Sequence, residues 1–210
     1  MMIAKATRLA EVKEYYFSKK LREVAQLMSA GKPIISLGIG SPDLDPPKEV
    51  VAAMSASLSD PMAHAYKSYQ GIPELRDAMA GFYKSHYGVD LNPSHEILPL
   101  LGSKEGIMHI SMAFLNEGDQ VLIPDPGYPT YSSVTKLVGA EPVYYNLTEK
   151  RGWWPDFEDL EKRDLSKVKI MWVNYPHMPT GTDANAVLFA ALIAFAKKHE
   201  ILLVNDNPYS

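Results

Sequence analysis

The amino-acid sequence predicts an α/β protein with a mainly parallel, doubly wound sheet, preceded by an N-terminal helical arm. From residue 97 onward, short apolar segments alternate with helical segments, and clusters of glycine and proline separate them. The strand segments are rich in Ile, Leu and Val without polar alternation, which is typical of strands covered on both faces. Repeated βα units of this kind form parallel sheets with helices on both sides.

The N-terminal part is predicted to be helical on either side of an irregular segment. Apolar residues at helical spacing over residues 11–28 indicate an amphipathic helix, which the sequence G-K-P at 31–33 ends. Residues 34–47 begin as a short apolar strand, and the two glycines and three prolines that follow prevent further regular structure. Helices are then predicted over residues 47–58 and 72–83, joined by an exposed loop that contains A-Y-K-S-Y-Q-G.

The remaining elements follow in βα order, each bounded by turn residues. Apolar strand segments lie at residues 97–101, 120–123, 141–145, 169–173 and 201–204, and helical segments at 104–115, 130–138 and 186–198. We expect Thr182 or Asp183 to cap the last helix and Asp156 to cap a shorter one, because Asp and Thr side chains accept hydrogen bonds from first-turn amides.

The closing segment has the sequence I-L-L-V-N-D-N-P-Y-S at residues 201–210. An apolar run that ends in an acid, a proline and a phenol predicts a buried strand that delivers Asp206 and Tyr209 to a site beyond its carboxyl end. The alternative is a core strand that ends in an Asx-Pro turn. The same edge of the sheet is expected to receive the other polar segments that follow strands, namely Ser103, Tyr128 and residues 176–181.

Composition excludes several classes of protein and site. The net charge of −4 and the scattered basic residues argue against a nucleic-acid partner, although a single small anion could still bind. Without cysteine there is neither a disulfide framework nor a thiolate metal site. No apolar run is long enough to span a bilayer and no signal-peptide pattern opens the chain, so we expect no membrane partner and a cytoplasmic location.

Several familiar catalytic motifs are incomplete. Gly38 and Gly40 resemble the start of a dinucleotide fingerprint, but the third glycine is missing and prolines follow where a helix should begin. No glycine-rich run ends in Gly-Lys-Ser/Thr, and the six histidines lack zinc-ligand spacing. Ser133 and Lys136 form an S-x-x-K, but the companion motifs of that class are absent.

Five stretches together resemble one family, the fold-type I pyridoxal-phosphate enzymes and specifically the class I/II aminotransferases. They are I-S-L-G-I-G-S-P-D at 35–43, Y-K-S-Y-Q-G-I-P-E-L-R at 66–76, G-S-K-E at 102–105, P-D-P-G-Y-P-T-Y at 124–131 with N-Y-P-H-M-P-T-G at 174–181, and D-N-P-Y at 206–209. The resemblance covers essentially the whole chain. It implies an N-terminal arm and small-domain segment over residues 1–46 and the first part of a large cofactor-binding domain over residues 47–210.

The resemblance implies that pyridoxal 5'-phosphate is the cofactor and assigns residues to it. Gly102, Ser103 and Lys104 would bind the phosphate, which agrees with the anion preference of a helix N-terminus. Tyr128 would stack on the pyridine ring. Asp206 would face the ring nitrogen, where a carboxylate favours the protonated ring, and Tyr209 would hydrogen-bond the ring's 3-oxygen.

Further implied roles concern the partner subunit and the substrate. Tyr66 matches a tyrosine that reaches the phosphate of a neighbouring subunit, so the resemblance implies a homodimer with shared sites. Gly40 matches a backbone position close to the substrate carboxylate. Met178 departs from the family, which usually has an asparagine there that bonds the 3-oxygen; either Tyr209 holds that oxygen alone, or His177 or Asn174 replaces the asparagine.

The resemblance implies transfer of an amino group between an α-amino acid and a 2-oxo acid. Family members are about twice as long, and their Schiff-base lysine lies beyond the matched Asp and Tyr, so we expect the chain to be the N-terminal half of such an enzyme. The alternatives are a C–S or β-eliminating lyase of the same fold, and a non-catalytic ligand-binding remnant.

We predict negligible transamination by the isolated 210-residue polypeptide, because it contains cofactor-binding groups without the catalytic amine. Turnover measured with a mass-verified sample of this polypeptide would contradict the prediction.

Overall fold

The computed structural model describes residues 3–10, 14, 16–38, 40 and 42–210 of the chain. It has two compact units, one formed by Met1–Val12 with Leu100–Ser210 and the other by Lys13–Pro99. The predicted domain boundary between residues 46 and 47 concerns the arrangement in a complete aminotransferase, and it stays a prediction.

A four-stranded parallel sheet forms the centre of the first unit. Its strands are β1 (Gln120–Asp125), β2 (Glu141–Asn146), β3 (Val168–Val173) and β4 (Leu202–Asn205), in the spatial order β2-β1-β3-β4. Helices α4 (Ser103–Phe114), α5 (Pro129–Leu137), α6 (Phe157–Leu160) and α7 (Ala186–Lys198) alternate with the strands. The predicted fold class, a parallel sheet flanked by helices, is confirmed.

Both faces of the sheet are covered, which explains why β1 and β3 are apolar without alternation. On one face Leu122, Met171 and Val173 pack in a core cluster with Leu188 and Leu192 of α7. On the other face a second cluster contains residues of β1 and β3 together with α4 and α5, namely Val121, Ile123, Ile170, Trp172, Ile107, Tyr131 and Val134. The apolar side chains of these strands therefore pack into two separate cores, one on each face of the sheet.

The caps of the helices agree only in part with the sequence prediction. Asp156 caps α6 as predicted, since its side chain accepts a hydrogen bond from the amide of Asp159. The prediction for α7 is wrong, because Asn185 is the cap and accepts from the amide of Leu188. Asn185 directly precedes the first helical residue, whereas Thr182 and Asp183 lie too far upstream to reach the first-turn amides.

The second unit consists of helices and irregular chain. Its helices are α1 (Tyr16–Ser29), α2 (Lys48–Ser57) and α3 (Pro73–Tyr87), and Gly88 ends α3 in a left-handed conformation. The predicted first helix began at residue 11, but Glu11, Val12 and Tyr15 lie outside the described residues. None of the described residues of this unit is buried.

Two segments predicted as strands are irregular. The described residues of 34–47 contain no strand, and Ile35 and Leu37 are largely exposed. Residues 97–101 are also irregular, and Pro99 within them lacks the N–H that a sheet ladder requires. An apolar segment becomes a strand only when a neighbouring strand can pair with it.

Among the described residues, no helix has both the length and the apolar character needed to cross a membrane.

Candidate active site

A cavity of 220 Å³ lies in the first unit, where residues from four separate segments meet. It is lined by Ser103, Tyr128, Tyr131, Asn174, Met178, Asp206, Pro208 and Tyr209. The loops that follow β1, β3 and β4 contribute most of this lining, so the cavity lies at the carboxyl edge of the sheet. The sequence prediction that these segments converge on one crevice agrees with this geometry.

The order of the strands explains why a crevice forms here. From β1 the chain passes through α5 to β2 on one side, and β3 pairs with β1 on the other side. Loops after β1 and β3 therefore diverge to opposite sides of the sheet, and such switch points are where open α/β sheets bind ligands.

The N-terminus of α4 supplies the positive end of the cavity. Gly102 precedes the helix with φ of 120°, a conformation that is open to glycine and strained for other residues. Its position lets Ser103 begin the helix at the cavity wall, at the positive end of the helix dipole. Lys104 adds a positive charge, and its Nζ lies 5.9 Å from the centre of the Tyr128 ring.

Tyr128 is placed by a tight turn after β1. A Cβ atom on Gly127 would lie 2.3 Å from the carbonyl oxygen of Pro124, so only glycine permits this turn. Tyr128 then directly precedes Pro129, the first residue of α5. Its ring meets that of Tyr131 edge to face, with 5.7 Å between the centres and an angle of 80°.

Asp206 is held at three points after the end of β4. Its amide donates to the carbonyl oxygen of Val173 at 2.9 Å, and its own carbonyl oxygen accepts from Asn174 Nδ2 at 2.5 Å. Its carboxylate Oδ2 accepts a hydrogen bond from the Tyr131 hydroxyl at 2.9 Å. Backbone and side chain of Asp206 are thus both fixed relative to the sheet.

Tyr131 also lines the cavity, although the sequence patterns predict no role for it. It is 0% exposed, and burial raises the pKa of its phenol, which the nearby Asp206 carboxylate raises further. Its place three residues after Tyr128 was the available signal, because side chains so spaced at the start of a helix lie on the same side.

In the loop after β3, the polar side chains next to Met178 form hydrogen bonds within the protein. Asn174 Oδ1 accepts from the Met178 amide at 2.8 Å, so both polar atoms of the Asn174 side chain bond to the backbone. His177 is 2% exposed, its Nδ1 lies 2.7 Å from Thr180 Oγ1, and burial lowers its pKa. Met178 itself faces the cavity with a thioether, which is at most a weak acceptor.

The predicted site residues fall into two groups. Ser103, Tyr128, Asn174, Asp206 and Tyr209 line the cavity, and Gly102 and Lys104 adjoin Ser103. Gly40 and Tyr66 belong to the second unit, where the Tyr66 side chain is 99% exposed. The described residues contain no cluster of three or more His, Asp or Glu that could hold a metal ion. The individual roles of these residues stay predictions.

Comparison with known proteins identifies the family. Residues 32–210 match the family model described as aminotransferase class I and II. An LL-diaminopimelate aminotransferase of Dehalococcoides mccartyi is 42% identical over 203 residues, which are 97% of this chain and 52% of that protein. An LL-diaminopimelate aminotransferase of Syntrophobacter fumaroxidans is 37% identical over 210 residues, 100% of this chain and 54% of that protein.

Solved structures share the fold. Apo-BacF from Bacillus subtilis superimposes with a TM-score of 0.91 at 38% identity, covering 98% of this chain and 52% of that one. Alanine aminotransferase from Pyrococcus furiosus gives a TM-score of 0.88 at 29% identity, covering 97% and 52%. The chain thus spans about half the length of these relatives (52% of the Dehalococcoides protein). It belongs to the class I and II aminotransferase family.

Proposed function

We propose that the protein transfers an amino group between an α-amino acid and a 2-oxo acid, with pyridoxal 5'-phosphate as cofactor. The observation that carries the proposal is a single cavity in which a helix N-terminus, an aromatic ring and a fixed carboxylate meet. The relatives are named as aminotransferases, which favours transamination over the lyase and the non-catalytic remnant.

The side chains around the cavity fit the chemical groups of this cofactor. Its phosphate is a dianion, which suits the positive N-terminal end of α4, the hydroxyl of Ser103 and the charge of Lys104. Its ring is flat and aromatic, which suits the face of Tyr128. Its ring nitrogen binds a proton, which suits the carboxylate of Asp206. Its ring hydroxyl suits the phenol of Tyr209, which lines the cavity, because both polar atoms of the Asn174 side chain bond to the backbone.

When bound, the cofactor supplies an electron-withdrawing ring that stabilises negative charge at the α-carbon of the amino acid. The chain's own residues would orient that ring and would favour the protonated form of its nitrogen. Asp206 does so with a charge whose position is set by Val173, Asn174 and Tyr131. A carboxylate held in place before the reaction stabilises charge without the cost of reorganising solvent.

We propose further that two copies of the protein share their sites. Tyr66 would reach the phosphate bound by the partner subunit, and Gly40 would lie near the substrate carboxylate. The exposure of Tyr66 supports this, as does a stripe of exposed apolar residues at helical spacing, formed by Val50 and Met54 on α2 and by Leu58 at its C-terminal cap. We also propose that the protein is located in the cytoplasm.

The test uses the full-length protein and LL-diaminopimelate, aspartate and alanine as donors, with 2-oxoglutarate as acceptor. If the protein is a transaminase, glutamate forms only when both substrates and pyridoxal 5'-phosphate are present. Release of a 2-oxo acid without an acceptor would indicate the lyase instead. Cofactor binding without turnover of any donor would favour the non-catalytic remnant.

Replacing Ser103 with alanine is expected to raise the Kd for pyridoxal 5'-phosphate about tenfold, because one hydrogen bond to a charged group is lost. Pyridoxal, which lacks the phosphate, should bind the variant and the unaltered protein equally well. Absorbance titrations of the full-length protein measure both affinities.

Ser132→Ala is the matched control for this variant, since the Ser132 hydroxyl donates within α5 to the Pro129 carbonyl oxygen. Equal weakening of pyridoxal and of its phosphate by Ser103→Ala would show that Ser103 does not contact the phosphate.

A further inference from the structure

The hydroxyl of Tyr131 makes a direct bond to the functional carboxylate from a fixed position. It donates to Asp206 Oδ2 at 2.9 Å across 75 residues of sequence. The side chain has no freedom to move away, because it is 0% exposed and packed among the residues of a core cluster. Tyr131 is therefore part of the rigid frame on which the candidate site is built.

Two ring contacts and one backbone hydrogen bond hold Tyr131 in place. Its face lies parallel to the indole of Trp172 on β3, with 5.1 Å between ring centres and an angle of 4°. Its other neighbour is Tyr128, which it meets edge to face. The backbone is held as well, since Thr135 Oγ1 donates to the Tyr131 carbonyl oxygen at 2.7 Å. A single side chain thus contacts both the carboxylate and the aromatic wall of the cavity.

The direction of the hydrogen bond follows from the charges. Burial and the adjacent carboxylate both raise the pKa of the Tyr131 phenol, so the phenol stays protonated and acts as the donor. An ionised carboxylate can only accept, and with Oδ2 engaged its second oxygen is left for another donor. A carboxylate with one oxygen fixed also loses the freedom to rotate.

We propose that Tyr131 is a positioning residue for Asp206, holding Oδ2 so that Oδ1 remains for the protonated ring nitrogen of the cofactor while its own ring sets Tyr128. The inference rests on the proposed function. It assigns Tyr131 no contact with the reacting atoms; its effect passes through Asp206 and Tyr128.

The test replaces Tyr131 with phenylalanine in the full-length protein, which removes the hydroxyl and keeps the ring. We expect kcat/KM to fall about tenfold, since a hydrogen bond that fixes a charged group is lost. We also expect the pH midpoint of the visible absorbance change of bound pyridoxal 5'-phosphate to shift by about half a unit or more, because the carboxylate opposite the ring nitrogen is no longer fixed.

Tyr145→Phe is the matched control. The Tyr145 hydroxyl is also buried and donates to a carbonyl oxygen, that of Trp172, at 2.6 Å, without contacting Asp206. This variant should lower the Tm by a similar amount and leave the absorbance midpoint unchanged. If Tyr131 acts through the carboxylate, adding Tyr131→Phe to an Asp206→Asn variant should lower kcat/KM by less than about a factor of two.

The outcomes separate this inference from the proposed function. If Tyr131→Phe lowers the Tm as Tyr145→Phe does and leaves both kcat/KM and the absorbance midpoint unchanged, Tyr131 is only structural and the inference is overturned. In that case the proposed function stands. If the unaltered full-length protein binds no pyridoxal 5'-phosphate, the proposed function fails and the inference fails with it.

Discussion

Replacing Asp206 with alanine in the full-length protein is expected to lower kcat by about 100-fold to 1000-fold. Loss of one fixed electrostatic partner of a reacting group costs roughly 3–4 kcal/mol in other enzymes. Asp206 has the features of such a partner, since its backbone is anchored to β3 and its carboxylate to Tyr131. Steady-state kinetics with saturating pyridoxal 5'-phosphate measure the effect, and turnover close to that of the unaltered protein would remove Asp206 from the mechanism.

Two further variants separate catalysis from stability at this position. Alanine leaves the buried Tyr131 hydroxyl without an acceptor, which alone costs about 1–3 kcal/mol of folding stability. Asp206→Asn keeps an acceptor oxygen and removes the charge, so it should retain more stability than the alanine variant and lose a similar amount of kcat. Asp125→Ala is the matched control, because Asp125 also ends a strand of the sheet and its side chain is exposed.

Replacing Gly127 with alanine is expected to destabilise the protein by about 1–3 kcal/mol and to weaken binding of pyridoxal 5'-phosphate. The added Cβ would lie 2.3 Å from the Pro124 carbonyl oxygen and 2.9 Å from Pro124 Cγ. Backbone on both sides of the turn would have to shift to relieve the contact. Since Tyr128 follows directly, the shift would also move the aromatic wall of the cavity.

Urea denaturation of the full-length protein without cofactor measures the stability, and an absorbance titration measures the affinity. Gly81→Ala in α3 is the matched control: a Cβ there meets no atom within 4 Å. Alanine in a helix interior is favoured over glycine by roughly 0.5–1 kcal/mol, so this variant should be neutral or slightly stabilised. A Gly127→Ala protein with unchanged urea midpoint and cofactor affinity would show that the turn relaxes at no cost.

Local patterns in the sequence were sufficient to predict most strands and helices of the first unit. Strands β1 and β3 were predicted within three residues of their observed ends, and α7 over its observed length of Ala186–Lys198. These elements are read correctly because their side chains face a core on both sides of the sheet or along a helix, so burial imposes a pattern on the sequence. The strand predicted at residues 97–101 is wrong, because the pairing of an apolar segment depends on a neighbouring strand that its own residues do not specify.

The sequence alone determined the fold class and the residue types at the strand ends, because a parallel sheet gathers those ends on one edge whatever the remaining details. It also pointed to the family that the comparisons identify. Only the tertiary structure decided which of these side chains contact one another. The bond between Tyr131 and Asp206 spans 75 residues, and the bond from Asn174 to the Asp206 backbone spans 32. Contacts between distant residues depend on the register and packing of β3 and β4 and on the placement of α5, which local periodicity does not encode.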